Sequence, residues 1–344
     1  MRKRNFVLVV MGLIMTISVI TIMLTTELAQ AQPQKKFVWK FQNEFPAADT
    51  ANFITSKMWK EGIEKAANGR ITIELYEPDA IVPALEMESA IKKGVLDSGM
   101  GPAYGPGLVI GGIVAAGFPG QFTNMDDAYK LIHELGLIEI ARKAYAEQNL
   151  YFLCSSPAGS IFFMTNFPIR RANDLKGKKL HSSGMRAKWM SALGASVVTL
   201  PGSELYMAMK LGTVDGITYT GSELESMKLM EVVKYVSLPS LYITNNVFTV
   251  NLAKWKELPD DLKTALNNWS KTELKTVGKA LLDYQQKALD TAKKYGVQFI
   301  ELPKQEIEKS RAMADESTWA TWAKQDKFFA EGVKIVKDYY AKKR

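Results

Sequence analysis

Histidine and cysteine, the residue types that metal binding and nucleophilic catalysis use most often, are scarce in this chain. The sequence contains two histidines, His133 and His181, and a single cysteine, Cys154. A zinc site built from His and Cys needs three or four such ligands, so the composition argues against one. No Gly-x-Ser-x-Gly segment accompanies the histidines to suggest Ser-His-Asp chemistry. We therefore predict no metal, no cofactor and no catalytic residue.

Carboxylates are plentiful, with 36 Asp and Glu residues, and nothing in their spacing singles out a catalytic pair. Glu44 is of interest because it follows the first predicted strand, where a carboxylate can bind a ligand hydroxyl or ammonium group. A periplasmic hydrolase or isomerase that uses two carboxylates is the alternative function. Binding without chemistry is the preferred interpretation.

Arg186 is the best candidate for binding an anion. Ser182-Ser183-Gly184 can begin a helix, which places Arg186 in the first turn near free backbone N–H groups. An arginine there acts together with the helix dipole on an anion, although a solvent-facing arginine is the alternative. His181 ends the preceding strand and is either a ligand contact or a structural, hydrogen-bonded histidine.

The elements that must position these side chains lie within residues 174–220. Short strands are predicted at 179–180, 196–200 and 214–219, and a helix of about a dozen residues follows each of the first two. Such alternation predicts parallel strands in an open α/β layer. Ligands of these layers bind at the carboxyl ends of the strands. The segment is therefore predicted to form one wall of a ligand cleft.

Part of this segment occurs twice in the chain, 118 residues apart. Five residue types recur at identical spacing, and each copy reads as a helix, a glycine cap and a strand. A chance match is the alternative, because helix–Gly–strand units are common. The match favours two similarly built lobes with a cleft between them. The matching residues are Glu86, Ala90, Lys92, Gly94 and Asp97 in one copy and Glu204, Ala208, Lys210, Gly212 and Asp215 in the other.

The chain resembles the DctP-type solute-binding proteins of TRAP (tripartite ATP-independent periplasmic) transporters. The matching features keep their order over roughly residues 36–270, and their combination is more specific than any one of them. They are Gly69-Arg70-Ile71, Pro119, Asp174-Leu-Lys-Gly177-Lys-Lys, Leu193-Gly194-Ala195, Glu204-x-Tyr206-x-Ala208-x-x-x-Gly212-x-x-Asp215-Gly216, Val233-Lys234-Tyr235, Val250-Asn251, Trp255 and Leu258-Pro259.

The resemblance implies an α/β fold of the two-lobed, type II-like periplasmic binding protein class, with a hinge and a long bracing C-terminal helix. On this basis lobe I is predicted over residues 32–160 and lobe II over 161–250. Residues 251–344 are predicted to supply the long helix, a returning strand and terminal helices that pack on both lobes. The chain is expected to cross between the lobes near residues 161–166.

The resemblance also implies ligand contacts. Members of this family usually have an arginine at the position of His181, where it binds a carboxylate in bidentate fashion. Some have a second one near Ile161, and this chain has neither. Arg186 is the predicted substitute, and the change favours a less acidic ligand, such as a monocarboxylate with an apolar or aromatic part. The predicted ligand-binding residues are Arg186, His181, Tyr219, Glu44, Tyr104, Phe162, Trp189, Thr218 and Asn245.

The implied function is capture of a small organic acid and its delivery to a TRAP-type membrane permease, by a monomer or weak dimer. A sensory binding protein is a further alternative. Arg2, Lys3 and Arg4, the apolar run 6–24 and Ala29-Gln30-Ala31 predict a signal peptide over residues 1–31 and a periplasmic location. An uncleaved anchor is the alternative, because the run has 19 residues. The net charge of +8 comes from lysines interleaved with acids, which is typical of a solvated surface and not of a nucleic-acid site.

The remaining elements follow from hydrophobic periodicity and from glycine and proline breaks. Cys154 is predicted as a buried, inert thiol, and Trp319 and Trp322 are predicted to pack against the core. Strands are predicted at 37–42, 71–76, 95–100, 151–155, 246–251 and 297–302, and helices at 48–68, 86–93, 126–148 and 223–232. Pro259-Asp260-Asp261 is predicted to start a helix whose periodicity continues over 262–295, and residues 304–344 are predicted to be mostly helical.

Overall fold

A computed structural model describes residues 35–45, 50–102, 109–122, 124–200 and 202–343. The predicted signal peptide and Tyr104 lie outside these ranges. The backbone divides into a unit over Met1–Phe37, of which residues 35–37 are described, and a unit over Val38–Arg344. The second unit contains the candidate site.

The second unit combines one mixed β-sheet with helices, as the alternation of strands and helices predicts. The strands are β1 Phe37–Asn43, β2 Ile71–Tyr76, β3 Ser98–Pro102, β4 Leu150–Thr165, β5 Lys179–His181, β6 Ser196–Val198, β7 Gly216–Thr220, β8 Tyr235–Leu238, β9 Tyr242–Asn251 and β10 Gln298–Glu301. The α-helices are α1 Thr50–Ala66, α2 Met87–Lys93, α3 Met125–Tyr129, α4 Leu137–Ala146, α5 Gly184–Ala192, α6 Leu205–Lys210, α7 Glu223–Ser226, α8 Leu252–Lys256, α9 Asp260–Tyr295, α10 Lys304–Ala314, α11 Ala320–Ala323 and α12 Lys327–Lys343.

Two groups of parallel strands in the sheet are joined by two long antiparallel strands, and β8 and β10 form a further parallel pair. The strand order is β2-β1-β3-β9-β4-β7-β5-β6, and β8 joins β4 to β10. Strands β1 and β3 are parallel, as are β5, β6 and β7. Strands β9 and β4 run antiparallel to each other, and each is antiparallel to the parallel strand beside it. We call β1 and β3 the first strand group and β5, β6 and β7 the second.

The carboxyl ends of the two strand groups face each other. Pro102, the last residue of β3, is level with Asn246 of β9 and through it with Ser156 of β4. Thr220, the last residue of β7, is level with Ile161 of β4, and β7 runs toward lower β4 numbers. Both groups therefore point at residues 157–160. At roughly 3.3 Å per residue, the two ends are separated by about 16 Å along β4.

Strand β4 is longer than predicted. We predict a strand at 151–155, but the structure has one strand from Leu150 to Thr165, which includes most of the segment 161–166 where the chain is expected to cross between lobes. Its pairing with β9 shifts register between Phe152 and Cys154 and again between Pro157 and Gly159. Gly159 has a φ of 145°, a conformation open to glycine and strained for other residues. The proline and glycine therefore mark β-bulges within a strand and do not end it.

The predicted duplication is present in the structure. Gly94 and Gly212 both end their helices in the left-handed conformation, with φ of 76° and 72°. Asp97 follows the first glycine and Asp215 the second at the same spacing. The Lys40 N–H donates to the Asp97 carboxylate over 2.9 Å, and the Lys179 N–H donates to the Asp215 carboxylate over 2.8 Å. Each copy thus fastens its strand to the parallel neighbour in the same way.

Helix α9 has 36 residues and confirms the predicted long C-terminal helix. It packs along β4 on both sides of the bulge. A Cβ atom on Gly278 would lie 3.2 Å from Pro157, so the helix and strand are in close contact there. Further along α9, Gln285 Oε1 accepts hydrogen bonds from the Ser160 N–H at 2.8 Å and the Gly221 N–H at 3.3 Å.

Hydrophobic clusters cover both strand groups. One includes Ile91, Phe118, Phe152 and Val247 and lies at the first group. Two others lie at the second group, one built around α6 and α7 and one around α5. Cys154 is buried without a disulfide partner, as predicted, and burial raises the pKa of its thiol. Trp319 is buried as predicted, and Trp322 packs against the first cluster.

Several predicted helices are shorter than expected, including α5 with 9 residues and α6 with 6 residues where about a dozen are predicted. The helix predicted at 126–148 is divided into α3, a π-helical turn Lys130–Glu134 and α4, because Gly136 adopts a φ of 85° between them. The helix predicted at 223–232 ends at Ser226, and Lys228 follows in the left-handed region. The strand predicted at 95–100 begins only at Ser98. In the described part of the chain, no helix has the length and apolar character needed to cross a bilayer.

Candidate functional site

His181 is a buried histidine at the carboxyl end of β5. Its side chain is 2% exposed, and its Nε2 atom lies 3.1 Å from the Leu200 carbonyl oxygen. Its Nδ1 atom has no hydrogen-bond partner among the described residues. Burial, followed by the positive charge of Arg186, lowers the pKa of His181 to about 4. The imidazole is therefore neutral near pH 7 and brings no charge to the site.

Ser182 and Thr218 tie the ends of β5 and β7 together. Thr218 Oγ1 lies 3.0 Å from Ser182 Oγ and 3.2 Å from the His181 carbonyl oxygen. The Thr199 hydroxyl donates to the Ser182 carbonyl oxygen over 3.0 Å. Because all three contacts converge on His181, which ends β5, and on Ser182, which follows it, they hold the backbone at His181 in place. Thr218, one of the predicted ligand contacts, is fully buried and acts in this brace.

The Arg186 side chain extends from α5 toward Ser182 and toward Tyr242 at the start of β9. Its Nε atom lies 3.3 Å from Ser182 Oγ, and its Nη1 atom lies 3.5 Å from Tyr242 Oη. The side chain is half-buried, and no carboxylate forms an ion pair with it within the described ranges. A partly desolvated guanidinium without a counter-ion favours an anion. Arg186 is therefore the candidate cation for this end of the site.

Tyr242 is a site residue that the sequence analysis missed. It opens β9 and pairs in register with Ile161 of β4, the position near which some members of the resembled family have an arginine. Its ring is buried and lies 6.3 Å from the ring of Trp189. Only the register between β4 and β9 brings Tyr242 to Arg186, because the two are 56 residues apart in the chain.

The predicted aromatic contacts divide between the site and the core. The Tyr219 ring lies 6.2 Å from the His181 ring and is half-exposed. Phe162 belongs to the cluster around α6 and α7. Trp189 belongs to the cluster around α5, and its indole N–H donates to the Ser310 carbonyl oxygen over 2.7 Å. The structure therefore places Phe162 and Trp189 in the core, where the Trp189 ring packs beside the Tyr242 ring.

Glu44 lies at the carboxyl end of the first strand group, where its N–H donates to the Met100 carbonyl oxygen over 3.0 Å. Its carboxylate covers Gly101, since a Cβ atom there would lie 2.5 Å from Glu44 Oε2. Burial, with Glu88 nearby, raises the pKa of Glu44 to about 7. Burial also raises the pKa of Glu88 to about 7, although Lys92 opposes the shift. This end of the site thus carries carboxyl groups that hold protons near neutral pH.

Asn245 lies on β9 between the two ends. Its side chain is buried, with Nδ2 3.4 Å from Ser155 Oγ, and its Oδ1 atom has no partner in the described structure. The structure thus gathers His181, Arg186, Thr218 and Tyr219 at the second strand group. It places Glu44 at the first group. Tyr104 follows the first group in sequence but lies outside the described residues.

The arrangement offers an anion site and hydrogen-bonding groups. Within the described ranges, no group of three or more His, Cys, Asp and Glu residues could hold a metal ion. The cation comes from a helix start and the polar atoms come from strand ends, which is the usual ligand position of open α/β sheets. Such a site can bind a small acid between the two strand groups.

Comparison with known proteins identifies a family. The family described as "Bacterial extracellular solute-binding protein, family 7" matches residues 42–325. The monocarboxylate 2-oxoacid-binding periplasmic protein of Nostoc sp. is 25% identical over 290 residues, which are 76% of this chain and 78% of that protein. The C4-dicarboxylate-binding periplasmic protein DctP of Rhodobacter capsulatus is 25% identical over 267 residues, 76% of this chain and 79% of that protein.

Solved structures show the same fold. A crystal structure of a TRAP periplasmic solute binding protein from Chromohalobacter salexigens, with bound (S)-(+)-2-amino-1-propanol, superposes with a TM-score of 0.73 at 25% identity. The match covers 89% of this chain and 96% of that one. The mixed sheet, the facing strand groups and the long C-terminal helix are therefore features that this chain shares with TRAP solute-binding proteins.

Proposed function

The chain belongs to the bacterial extracellular solute-binding proteins of family 7, and from that premise we propose that it captures a small organic acid and delivers it to a TRAP-type membrane permease. The relatives support this class of ligand, because one is named for monocarboxylate 2-oxo acids and another for C4-dicarboxylates. The basic, apolar and Ala-x-Ala pattern of residues 1–31 supports export to the periplasm.

Capture works by closure of two lobes, over residues 32–160 and 161–250, with residues 251–344 bracing both. The facing carboxyl ends of the two strand groups support this division. The bulges of β4 at Pro157 and Gly159 supply a hinge between them. A ligand that contacts both groups has higher affinity for the closed form and therefore stabilises it.

Arg186 binds the ligand carboxylate, and its unpaired guanidinium beside Tyr242 and Ser182 is the observation that carries this proposal. Because His181 is neutral, this end of the site has one positive charge in the described structure. A single charge favours a monocarboxylate, and Glu44 and Glu88, whose pKa values burial raises to about 7, bring no positive charge to the other end for a second carboxylate. Micromolar affinity corresponds to a binding free energy of about 8 kcal/mol. A charge-assisted hydrogen bond contributes about 1.5–3 kcal/mol, so two such bonds together with apolar burial account for much of that free energy.

The ligand leaves this protein unaltered, so the chain acts as a receptor and not as an enzyme. A carboxylate-dependent hydrolase or isomerase and a sensory binding protein are the alternatives. Glu44 and Glu88 are the observation that favours the first alternative, because carboxyl groups with raised pKa values can donate protons. Turnover of a bound acid separates that alternative from transport.

Mass spectrometry of the ligand released from purified, denatured protein tests the proposal. We expect a monocarboxylate in stoichiometric amount, recovered with the same mass after prolonged incubation with the protein. Recovery of dicarboxylates or sugars alone would contradict the proposed ligand class. A product of altered mass would instead establish the enzyme alternative.

A further inference from the structure

We propose that the ligand is a 2-hydroxy acid, whose hydroxyl group donates a hydrogen bond to His181 Nδ1 while its carboxylate binds Arg186. This inference rests on the proposed function, in which Arg186 takes the carboxylate, and it names the group that must lie beside that carboxylate. The two residues are neighbours at the end of β5, because Ser182 follows His181 directly and contacts Arg186 Nε.

The hydrogen bond to Leu200 fixes the tautomer of His181. A carbonyl oxygen only accepts hydrogen bonds, so Nε2 must carry the proton that it donates over 3.1 Å. In a neutral imidazole the other ring nitrogen then has a lone pair and no proton. Nδ1 of His181 is therefore a hydrogen-bond acceptor, and it has no donor among the described residues.

An unsatisfied acceptor in a side chain that is 2% exposed costs free energy until a donor reaches it. The neighbouring hydroxyls do not supply that donor, since Thr218 Oγ1 faces Ser182 Oγ and the His181 carbonyl oxygen. Arg186 Nε faces Ser182 and its Nη1 faces Tyr242. A hydrogen-bond donor on the ligand therefore satisfies the free acceptor, Nδ1 of His181.

The group on carbon 2 of the acid determines which acids can bind both His181 and Arg186. A 2-hydroxy acid places an O–H group next to the carboxylate, so both groups are satisfied by one ligand end. A 2-oxo acid presents a carbonyl oxygen there, and two acceptors repel each other. A 2-amino acid presents an ammonium group, which the nearby Arg186 charge repels. Sites built to bind a hydroxyl discriminate strongly against analogues that lack it.

The test compares straight-chain acids of three to six carbons in matched sets of a 2-hydroxy acid, the 2-oxo acid and the unsubstituted acid. Calorimetric titration of the wild-type protein is expected to show at least about tenfold tighter binding of the hydroxy acid within each set. In His181→Phe this preference is expected to fall to about twofold or less, because the phenyl ring offers no hydrogen-bond acceptor. His181→Asn keeps an acceptor near the Nδ1 position and is expected to retain part of the preference.

His133→Gln is the matched control, because His133 lies on the π-helical turn after α3 and contacts Tyr129. It should keep the full preference. Equal binding of hydroxy and oxo acids, or a preference for oxo acids, by the wild-type protein would overturn the inference and leave acid binding by Arg186 intact. Failure of every acid to bind would overturn the proposed function together with the inference.

Discussion

His181 Nε2 lies 3.1 Å from the Leu200 carbonyl oxygen, so the last residue of β5 is linked to the segment that follows β6. This bond, together with burial that lowers the pKa of His181 to about 4, predicts one neutral tautomer over most of the pH range. The chain has only two histidines, so nitrogen NMR resolves each ring. We expect a protonated Nε2 and an unprotonated Nδ1 for His181 from pH 8 to about pH 5. A protonated Nδ1 near pH 7 would contradict the assignment.

The same pKa shift has a consequence for stability. An imidazole whose pKa is lowered from 6.5 to about 4 in the folded state binds protons more readily in the unfolded state. The contribution of His181 to the free energy of unfolding therefore falls as the pH drops from about 6.5 to 4. His133 contributes in the same direction, because burial lowers its pKa to about 4 as well.

Glu273 predicts a pH dependence of the opposite sign. It is buried in α9, Oε1 has no partner among the described residues, and burial raises its pKa from 4.5 to about 8. A raised carboxyl pKa means that stability is lost as the pH rises from about 4.5 to 8. Glu273→Gln removes this titration. Compared with the wild type, the free energy of unfolding of Glu273→Gln should increase across that range, by up to a few kcal/mol at pH 8.

Urea unfolding of Glu273→Gln and the wild type at several pH values measures this difference. Asp290→Asn changes an exposed carboxylate of the same helix and should shift stability by less than about 0.5 kcal/mol throughout. A constant difference between Glu273→Gln and the wild type from pH 4.5 to 8 would show that Glu273 is not a protonated, buried carboxyl group.

The duplicated aspartates predict matched effects in the two halves of the sheet. Asp97→Ala leaves the Lys40 N–H without its carboxylate, and Asp215→Ala does the same to the Lys179 N–H. Each change should lower the free energy of unfolding by about 1–3 kcal/mol. Asparagine retains an acceptor oxygen and should cost less at both positions. A large loss at one aspartate with none at the other would argue that the two copies are not structurally equivalent.

Gln285 predicts a link between α9 and the bulge of β4. Gln285→Leu leaves the Ser160 and Gly221 N–H groups without their side-chain acceptor. We expect a loss of about 1–3 kcal/mol in stability and faster amide exchange at Ser160. The neighbouring Gln286 is exposed on α9, where its side chain donates a hydrogen bond to Asp290, so Gln286→Leu is the control. Slow exchange at Ser160 in Gln285→Leu would show that the amide is protected by other contacts.

Much of the fold follows from local signals. Strand β2 and helix α5 lie where periodicity and glycine place them, and α9 begins at Asp260, within the predicted start Pro259-Asp260-Asp261. The bulge of β4 was not predictable in this way, because Pro157 and Gly159 read as a turn in sequence. Their partners on β9 hold them within the sheet. Pairing with β9, which is distant in the sequence, determines the structure of this region. A single sequence does not show that pairing directly.

The candidate site residues also divide into those with a local signal in the sequence and those placed by strand pairing. His181 and Thr218 could be proposed as ligand contacts because strand ends are visible in the sequence, and Arg186 because a helix start is visible. Tyr242 was missed because it begins an antiparallel strand and reaches Arg186 through strand pairing alone. Trp189 was predicted as a cleft residue but lies in the core. An aromatic residue on an amphipathic helix has the same periodicity in either role.

Calorimetric titration of Arg186 variants with the monocarboxylate recovered from the protein tests the central claim most directly. We predict one binding site per chain in the wild type and a roughly 10- to 100-fold loss of affinity in Arg186→Ala, which removes the charge-assisted hydrogen bonds. Arg186→Lys should keep part of the affinity, and the exposed Lys188→Ala should match the wild type. An unchanged affinity in Arg186→Ala would contradict the account, because the acid would then bind without the cation on which the site is built.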